Sequence, residues 1–151
     1  MKLKNITKHG ITLSAIEYSP RLSQETMAFT ARCECDGIVG EVGNDGHGGA
    51  SMIWPHALAE ALRRRAATLP PLPPYYVGGE PLAYDADLLV AEALEAAIQA
   101  HEDKKMAKKG YTHVVRCEGS SRVLYLTTEP KPSDLAKAYR DRAPLAVVTA
   151  L

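Results

Sequence analysis

A β-hairpin signature between residues 29 and 42 constrains the fold of this chain more than any other feature. Apolar residues alternate with polar ones at Phe29, Ala31, Cys33 and Cys35, which is typical of a strand with one buried face. The dipeptide Asp36-Gly37 follows, and it favours a two-residue turn because both positions need a positive φ. A return strand from Ile38 to Val42 completes the hairpin. The sequence therefore predicts antiparallel sheet near the start of the chain.

Another strand and a first helix are predicted around this hairpin. The same alternation from Ile11 to Ala15 adds a strand, which gives a three-stranded antiparallel N-terminal sheet. Apolar residues then recur at helical spacing at Leu58, Leu62, Ala66 and Leu69, directly after Trp54-Pro55. This helix must end at a proline-rich loop, residues 70–74, and a short strand is predicted over residues 75–77.

A second, longer helix is predicted to follow Asp85 or Asp87, since either side chain can cap its first turn. The helix should end before Gly110, because glycine suits the left-handed position after a helix end. Its predicted core stripe consists of Leu88, Ala91, Leu94, Ile98 and His101. The tail predicts a hairpin (111–117 with 122–127), a short helix over 134–142 that Ser133 caps, and a strand over 145–149. Strands, then helices, then strands again indicate the α+β class, in a single domain of residues 1–151.

Composition excludes several classes of protein. The 151 residues are 46% hydrophobic and include 18 basic and 18 acidic side chains. This balance of charge disfavours a strongly basic nucleic-acid binder. The sequence also contains no run of about 18 apolar residues, the length that a membrane-spanning helix needs. The first residues lack the apolar segment of a secretory signal, so the three cysteines are expected to be thiols in a reducing cytoplasm.

The glycine-rich segment after the hairpin, residues 43–49, is the most unusual motif in the chain. The candidate ligand- or partner-binding residues are Asn44, Asp45, Gly46, His47, Gly48, Gly49 and Trp54. Three interpretations stay open: a wide turn with several positive φ angles, a ligand or partner contact through a nest of backbone N–H groups, and acid–base catalysis by Asp45 and His47. The motif lacks the Gly-Lys-Ser/Thr of a P-loop and the βαβ setting of a dinucleotide site.

The cysteines offer an alternative site. Cys33 and Cys35 share one face of a predicted strand, and His113 and Cys117 share one face of another. These four residues could hold zinc only if the two strands were neighbours, and small core thiols are the simpler interpretation. We therefore predict that Cys33 and Cys35 face the core, and we assign no metal and no cofactor.

Enzymatic activity stays open but without support. No Gly-x-Ser-x-Gly elbow is present, and the five histidines are scattered without metal-binding spacing. No catalytic residue is assigned.

A basic patch is predicted near the end of the long helix, at Lys104, Lys105, Lys108 and Lys109. Burial of an unpaired ammonium group is costly, so these lysines are expected to be exposed. They could complement the helix dipole or bind phosphates or an acidic partner. The aromatic residues that interleave with basic ones in single-strand binders are missing, which disfavours nucleic acid.

The glycine motif carries a family resemblance. Together with residues 23–31 and 102–109, the segment Gly40–Gly49 resembles a group of small phage- and plasmid-borne proteins with an Asn-Asp-Gly-His-Gly-Gly motif. The similarity covers about residues 3–117. The group has no established catalytic residues, so no residue role is carried over. The resemblance implies a mobile-element accessory protein in the cytoplasm of a bacterial host.

The expected function is therefore a non-enzymatic binding module that inhibits a bacterial host or defence component, in the manner of an anti-CRISPR protein. One alternative is a small-ligand or nucleotide-binding protein, or an enzyme, that uses loop 43–49. A second alternative is a nucleic-acid-binding protein. A bacterial protein is the expected partner, with no membrane partner, and homo-oligomerisation is left open.

Overall fold

The computed structural model describes residues 1–74 and 77–151, so the strand predicted over residues 75–77 falls largely outside the described residues. The chain belongs to the α+β class, as predicted. Its contacts divide it into two compact units, Met1–Gln99 and Ala100–Leu151. Within the described ranges, no helix is long and apolar enough to cross a membrane.

The first unit is built on a six-stranded antiparallel sheet. Its strands are β1 (Lys2–Leu3), β2 (Ile6–Lys8), β3 (Ile11–Ser19), β4 (Ala28–Cys35), β5 (Ile38–Asn44) and β6 (Met52–Trp54). The order is β1-β3-β4-β5-β6, and β2 also pairs with β3. The predicted three-stranded sheet corresponds to β3, β4 and β5 and is incomplete. The other strands have only two or three residues, too few to show an alternation in the sequence.

The predicted hairpin turn is confirmed. Asp36 and Gly37 have φ angles of 51° and 78°, and Cys35 lies opposite Ile38 across the turn. Side chains of β4 alternate between buried and exposed as the sequence indicates, with Cys33 and Cys35 fully buried. One face of the sheet therefore supplies the core of this unit, and the other faces outward.

Two helices contribute to the same core. They are α1 (His56–Ala67) and α2 (Ala86–Lys108). The predicted cap of α2 is Asp85, because its Oδ1 accepts the Leu88 N–H at 2.7 Å. Asp87, the other candidate, instead accepts the Ser51 N–H at 2.7 Å. Gly110 adopts a φ of 96° after the end of α2, as predicted.

The predicted core stripe of α2 is wrong by about one position. The buried residues between Ala86 and Gln99 are Ala86, Leu89, Val90, Ala93, Leu94 and Ala97. Of the predicted set Leu94 is buried and Ile98 packs against the core while partly buried, whereas Leu88, Ala91 and His101 are partly exposed and lie outside the core cluster. Successive helical residues differ by about 100° around the axis, so the shift turns a different face inward. The observed face buries Leu89 and Val90 in place of the smaller Ala91 and the polar His101.

The second unit contains a three-stranded antiparallel sheet in the order β8-β7-β9. Its elements are β7 (His113–Cys117), β8 (Leu124–Leu126), α3 (Pro132–Tyr139) and β9 (Ala146–Ala150). The predicted Ser133 cap is wrong: the chain enters α3 at Lys131, whose N–H donates to Asp134 Oδ2 at 2.9 Å. Pro132 suits the first helical position because it lacks an N–H that would go unpaired there.

Candidate functional site

The glycine loop, residues 43–49, is held by the side chain of Asn44. Asn44 Oδ1 accepts the Gly46 N–H at 2.9 Å and the Thr26 hydroxyl at 2.6 Å. Asn44 Nδ2 donates to the Gly49 carbonyl at 3.1 Å. A single amide side chain therefore ties the start of the loop to its end and to the connection before β4.

A backbone clasp fixes the middle of the loop. The Gly46 carbonyl oxygen accepts the N–H groups of Gln24, Glu25 and Thr26 at 3.1, 2.9 and 3.3 Å. Three successive amides thus converge on one oxygen, in the arrangement that elsewhere binds an anion. We call these hydrogen bonds, with those of Asn44 and Thr26, the clasp. Sequence reasoning missed the clasp because it joins backbone groups about twenty residues apart, which leave no mark in side-chain patterning.

Three N–H groups in the middle of the loop are already in use. Gly46 N–H donates to Asn44 Oδ1, His47 N–H to Asp45 Oδ1 at 3.0 Å, and Gly48 N–H to the Thr26 hydroxyl at 3.2 Å. A backbone nest needs such groups pointing at the ligand. These bonds therefore argue against the interpretation of the loop as an anion-binding nest.

Asp45 and His47 lie at the exposed rim of the loop. The Asp45 Oδ2 and His47 Nδ1 atoms are 3.6 Å apart, and both side chains are largely exposed. The hydrogen bond from the His47 backbone N–H holds the pKa of Asp45 below its usual value. A general base at neutral pH needs a carboxyl pKa raised towards 7, so the direction of this shift gives catalysis no support.

An exposed apolar surface lies beside the loop, on the side of the first unit's sheet that faces away from its core. It forms a shallow concavity of about 770 Å³. We call it the outer face, and its main exposed residues are Thr30, Arg32, Val39, Glu41, Met52 and Trp54. Met52 and Trp54 point to the same side of β6 and are 75% and 67% exposed. Trp54, a predicted site residue, therefore stands on an open surface.

A second groove, of about 430 Å³, continues from the outer face. Thr30 lines both cavities, while Asp45 and His47 border the second one. Apolar side chains, Tyr18, Leu22 and Phe29, line much of this groove. Three of the predicted loop residues, Asn44, Asp45 and His47, thus belong with Trp54 to one continuous surface. Gly46 and Gly48 act instead through the clasp.

A third cavity, of about 400 Å³, lies between the clasp and the start of α2. Its lining includes the carboxylates of Glu25 and Asp87, with Met27 and Phe29 as apolar wall, and no lysine or arginine is among the described residues that line it. A phosphate group needs positive charge or free N–H donors. This cavity therefore gives no support to the nucleotide-binding alternative.

The predicted basic patch is exposed at all four lysines, Lys104, Lys105, Lys108 and Lys109. No exposed aromatic residue stands among them in the sequence. The patch has the character of a charged helix end, where lysines complement the helix dipole.

The cysteine prediction is confirmed for the core. Cys33 and Cys35 are fully buried free thiols in the first unit, and Cys117 is a buried free thiol in the second. Burial, followed by the charges of Cys35 and Glu34, raises the pKa of Cys33 to about 12, so this thiol does not ionise at neutral pH. Across the described ranges, no three His, Cys, Asp or Glu side chains cluster as metal ligands.

Two polar clusters were not predicted because their members are far apart in the sequence. In the first unit, His9 Nε2 lies 2.6 Å from Glu92 Oε2, and the Tyr84 hydroxyl donates to the same carboxylate. Burial, and then Glu92, raise the pKa of Tyr84. In the second unit, Arg116 donates to both oxygens of Asp103, at 2.8 and 3.0 Å, and the Tyr125 hydroxyl donates at 2.8 Å.

The second cluster predicts a pH dependence of stability. Burial, and then Asp103, raise the pKa of Tyr125 from 10 to about 12. The folded state therefore keeps this proton where the unfolded chain releases it, so the free energy of unfolding should fall as the pH rises from about 10 to about 12. Tyrosinate absorbance during an alkaline titration measures the raised pKa of Tyr125 on which this expectation depends. Tyr125→Phe should remove the absorbance transition near pH 12. Asp103→Asn should move that transition towards pH 10, and an unchanged titration in either variant would contradict the assignment.

No family model, curated protein or solved structure matches the chain.

Proposed function

We propose that this chain is a non-enzymatic protein-binding module whose contact surface is the outer face and the groove beside it. The exposure of Trp54 carries the proposal. A tryptophan that is two-thirds exposed beside an equally exposed methionine leaves a large apolar area in water. Contiguous exposed apolar surface on a folded protein marks a place where another molecule binds.

The chemistry of the outer face is that of a protein interface. Tryptophan, methionine and arginine are enriched in interfaces, and tryptophan dominates binding energy where it is present. Glu41 lies opposite Trp54 across the strand pair, and Arg32 lies opposite Glu41. Charged side chains thus border the apolar centre, as in the polar rim that excludes water from an interface.

The clasp suits this role because it makes the rim of the surface rigid. Asp45 and His47 project from a loop whose backbone is bonded at its start, middle and end. A side chain held on a rigid loop loses little conformational freedom on binding, which favours affinity. The loop then acts as a scaffold for a protein contact and binds no small ligand through its backbone.

The biological role that we propose is inhibition of a bacterial host or defence component, by a protein carried on a mobile element. The resemblance of the glycine motif to phage- and plasmid-borne proteins supports this part of the proposal. An inhibitor of this kind needs a surface that covers a partner and needs no catalytic group. The lowered pKa of Asp45 and the full burial of Cys33 are consistent with a mechanism by binding alone.

The test is capture of bacterial proteins by the immobilised chain, compared between matched variants. Trp54→Ala should reduce the yield of any stoichiometric partner at least about tenfold, because truncation of an interface tryptophan costs about 2 kcal/mol or more. Val77→Ala, at a fully exposed apolar residue away from this surface in the sequence, should leave the yield unchanged. Trp54 is the only tryptophan, so its emission should also shift when the purified partner is added.

Thermal unfolding separates this result from a folding defect. Trp54 is mostly exposed, so Trp54→Ala should melt close to the original chain. Equal capture by both chains, or a partner whose addition leaves Trp54 emission unchanged, would refute the outer face as the contact surface.

A further inference from the structure

Exposed apolar side chains also concentrate in the second unit, at and beside β9. Leu145, Val147, Val148 and Leu151 are 50%, 62%, 38% and 38% exposed. The stretch from residue 143 to residue 151 contains no charged side chain. Natural edge strands are usually protected by charge, proline or a covering element, because an open edge pairs with other chains. Along β9 itself, Ala146–Ala150, none of these protections is present.

The hydrogen-bonding groups of this edge can be assigned from the ladder. Among the residues that the structure describes, β9 pairs with β7 alone, and it ends the sheet order β8-β7-β9. The Leu151 N–H donates to the Thr112 carbonyl at 2.9 Å, and Val148 lies opposite Val115. Because antiparallel pairs alternate between bonded and non-bonded, the N–H and C=O groups of Val148 and Ala150 point away from β7. The outward side of β9 therefore offers donors and acceptors to an incoming strand.

We infer that β9 pairs antiparallel with β9 of a second copy of this chain, about a two-fold axis at Val148. In this register Val148 lies opposite Val148, Val147 opposite Thr149, and Ala146 opposite Ala150. Each outward Val148 N–H donates to the Val148 carbonyl of the second copy, and each Ala150 N–H donates to the Ala146 carbonyl. A two-fold axis at Val148 thus forms its hydrogen bonds through backbone groups that point away from β7.

Charge and symmetry favour a second copy over another occupant. The strand is neutral, so self-pairing places no like charges opposite each other and brings β-branched residues together, which stabilises cross-strand contacts. A two-fold interface closes on itself and stops at a dimer. Pairing of one five-residue strand is smaller than a standard stable interface. The dimer should therefore be weak and should form in a concentration-dependent way.

Analytical ultracentrifugation of the full chain, from about 1 µM to about 1 mM, tests this inference. The original chain should pass from monomer to dimer and no further. Val148→Lys and Val148→Glu should each stay monomeric, because like charges would meet at the axis. An equimolar mixture of these two variants should form a heterodimer. Val148→Thr, which keeps the branched shape without charge, should dimerise within about threefold of the original affinity.

A backbone variant keeps the test decisive if a charge at residue 148 disturbs folding. Ala150→Pro removes an N–H that points away from β7, and proline is tolerated on a free edge. It should weaken dimerisation at least about tenfold while the melting temperature stays nearly constant. The inference would be overturned if the original chain stayed monomeric at about 1 mM or assembled beyond a dimer. It would also be overturned if the Ala150→Pro variant dimerised as well as the original chain. Trp54→Ala should dimerise normally, so this result is independent of the proposed function.

Discussion

Gly46→Val should destabilise the protein by about 3–5 kcal/mol, the largest effect that we expect from a single substitution in the loop. Gly46 has a φ of 87°, a conformation that β-branched residues resist. A Cβ at this position would lie only 2.1 Å from the Leu22 carbonyl oxygen and 2.9 Å from the Ala28 Cβ. Valine would therefore strain the backbone and also force apart the two segments that the clasp joins.

Gly49→Val is the matched control for this prediction. Gly49 has a similar φ, 81°, but a Cβ there would meet nothing within 4 Å. This substitution should cost only the conformational strain, about 1–2 kcal/mol. Urea denaturation of both variants measures the difference. If Gly46→Val and Gly49→Val lowered the free energy of unfolding equally, the close contact at Gly46 would contribute nothing to stability. The clasp would then not hold the loop.

Gly40→Ala should destabilise the protein by about 2–3 kcal/mol and should also weaken partner binding. Gly40 lies in β5, and a Cβ there would lie 2.1 Å from the Trp54 carbonyl oxygen and 2.8 Å from the Leu58 side chain. The first of these is a backbone atom, so the clash can be relieved only if β6 moves. Such a movement would displace Trp54 on the outer face and Leu58 in the core together.

Gly43→Ala on the same strand provides the comparison. A Cβ at Gly43 would lie 3.0 Å from the Phe29 carbonyl oxygen, a tight contact that a small shift relieves. Its cost should be about 1 kcal/mol or less. Chemical denaturation gives the stabilities, and Trp54 emission reports the environment of β6 directly. A Gly40→Ala protein with unchanged stability and unchanged emission would show that the two strands do not pack as closely as described.

The long periodic elements could be predicted from the sequence, whereas the short and long-range features could not. Alternation along β4 and the Asp36-Gly37 turn define the central hairpin because each depends on neighbouring residues. β6 has three residues and exists only because β5 lies beside it. The face that α2 turns to the core depends on which side chains the first unit's core accommodates, and sequence spacing alone allowed a stripe one position away.

The candidate site, too, has features that could be predicted from the sequence and features that could not. Trp54 and the glycine loop were named as candidate binding residues because they are unusual in the sequence, and the structure places both on or beside the outer face. The positive φ angles of Gly46, Gly48 and Gly49 agree with the wide turn that the sequence offered as one interpretation. The close approach of Gly46 to Leu22 was not predicted, because it joins segments that no local pattern relates. The pairing of His9 with Glu92, residues 83 positions apart, was hidden for the same reason.

The three amides that converge on the Gly46 carbonyl have a consequence for how this protein can diversify. All of the bonds in that arrangement are made by main-chain atoms, so the side chains of Gln24, Glu25 and His47 take no part in them. These positions are therefore open to drift while the geometry of the loop stays constant, as in the hypervariable loops that antibodies carry on a fixed framework. Under selection by a changing target, related chains can exchange these side chains and acquire new specificities at little cost in foldability.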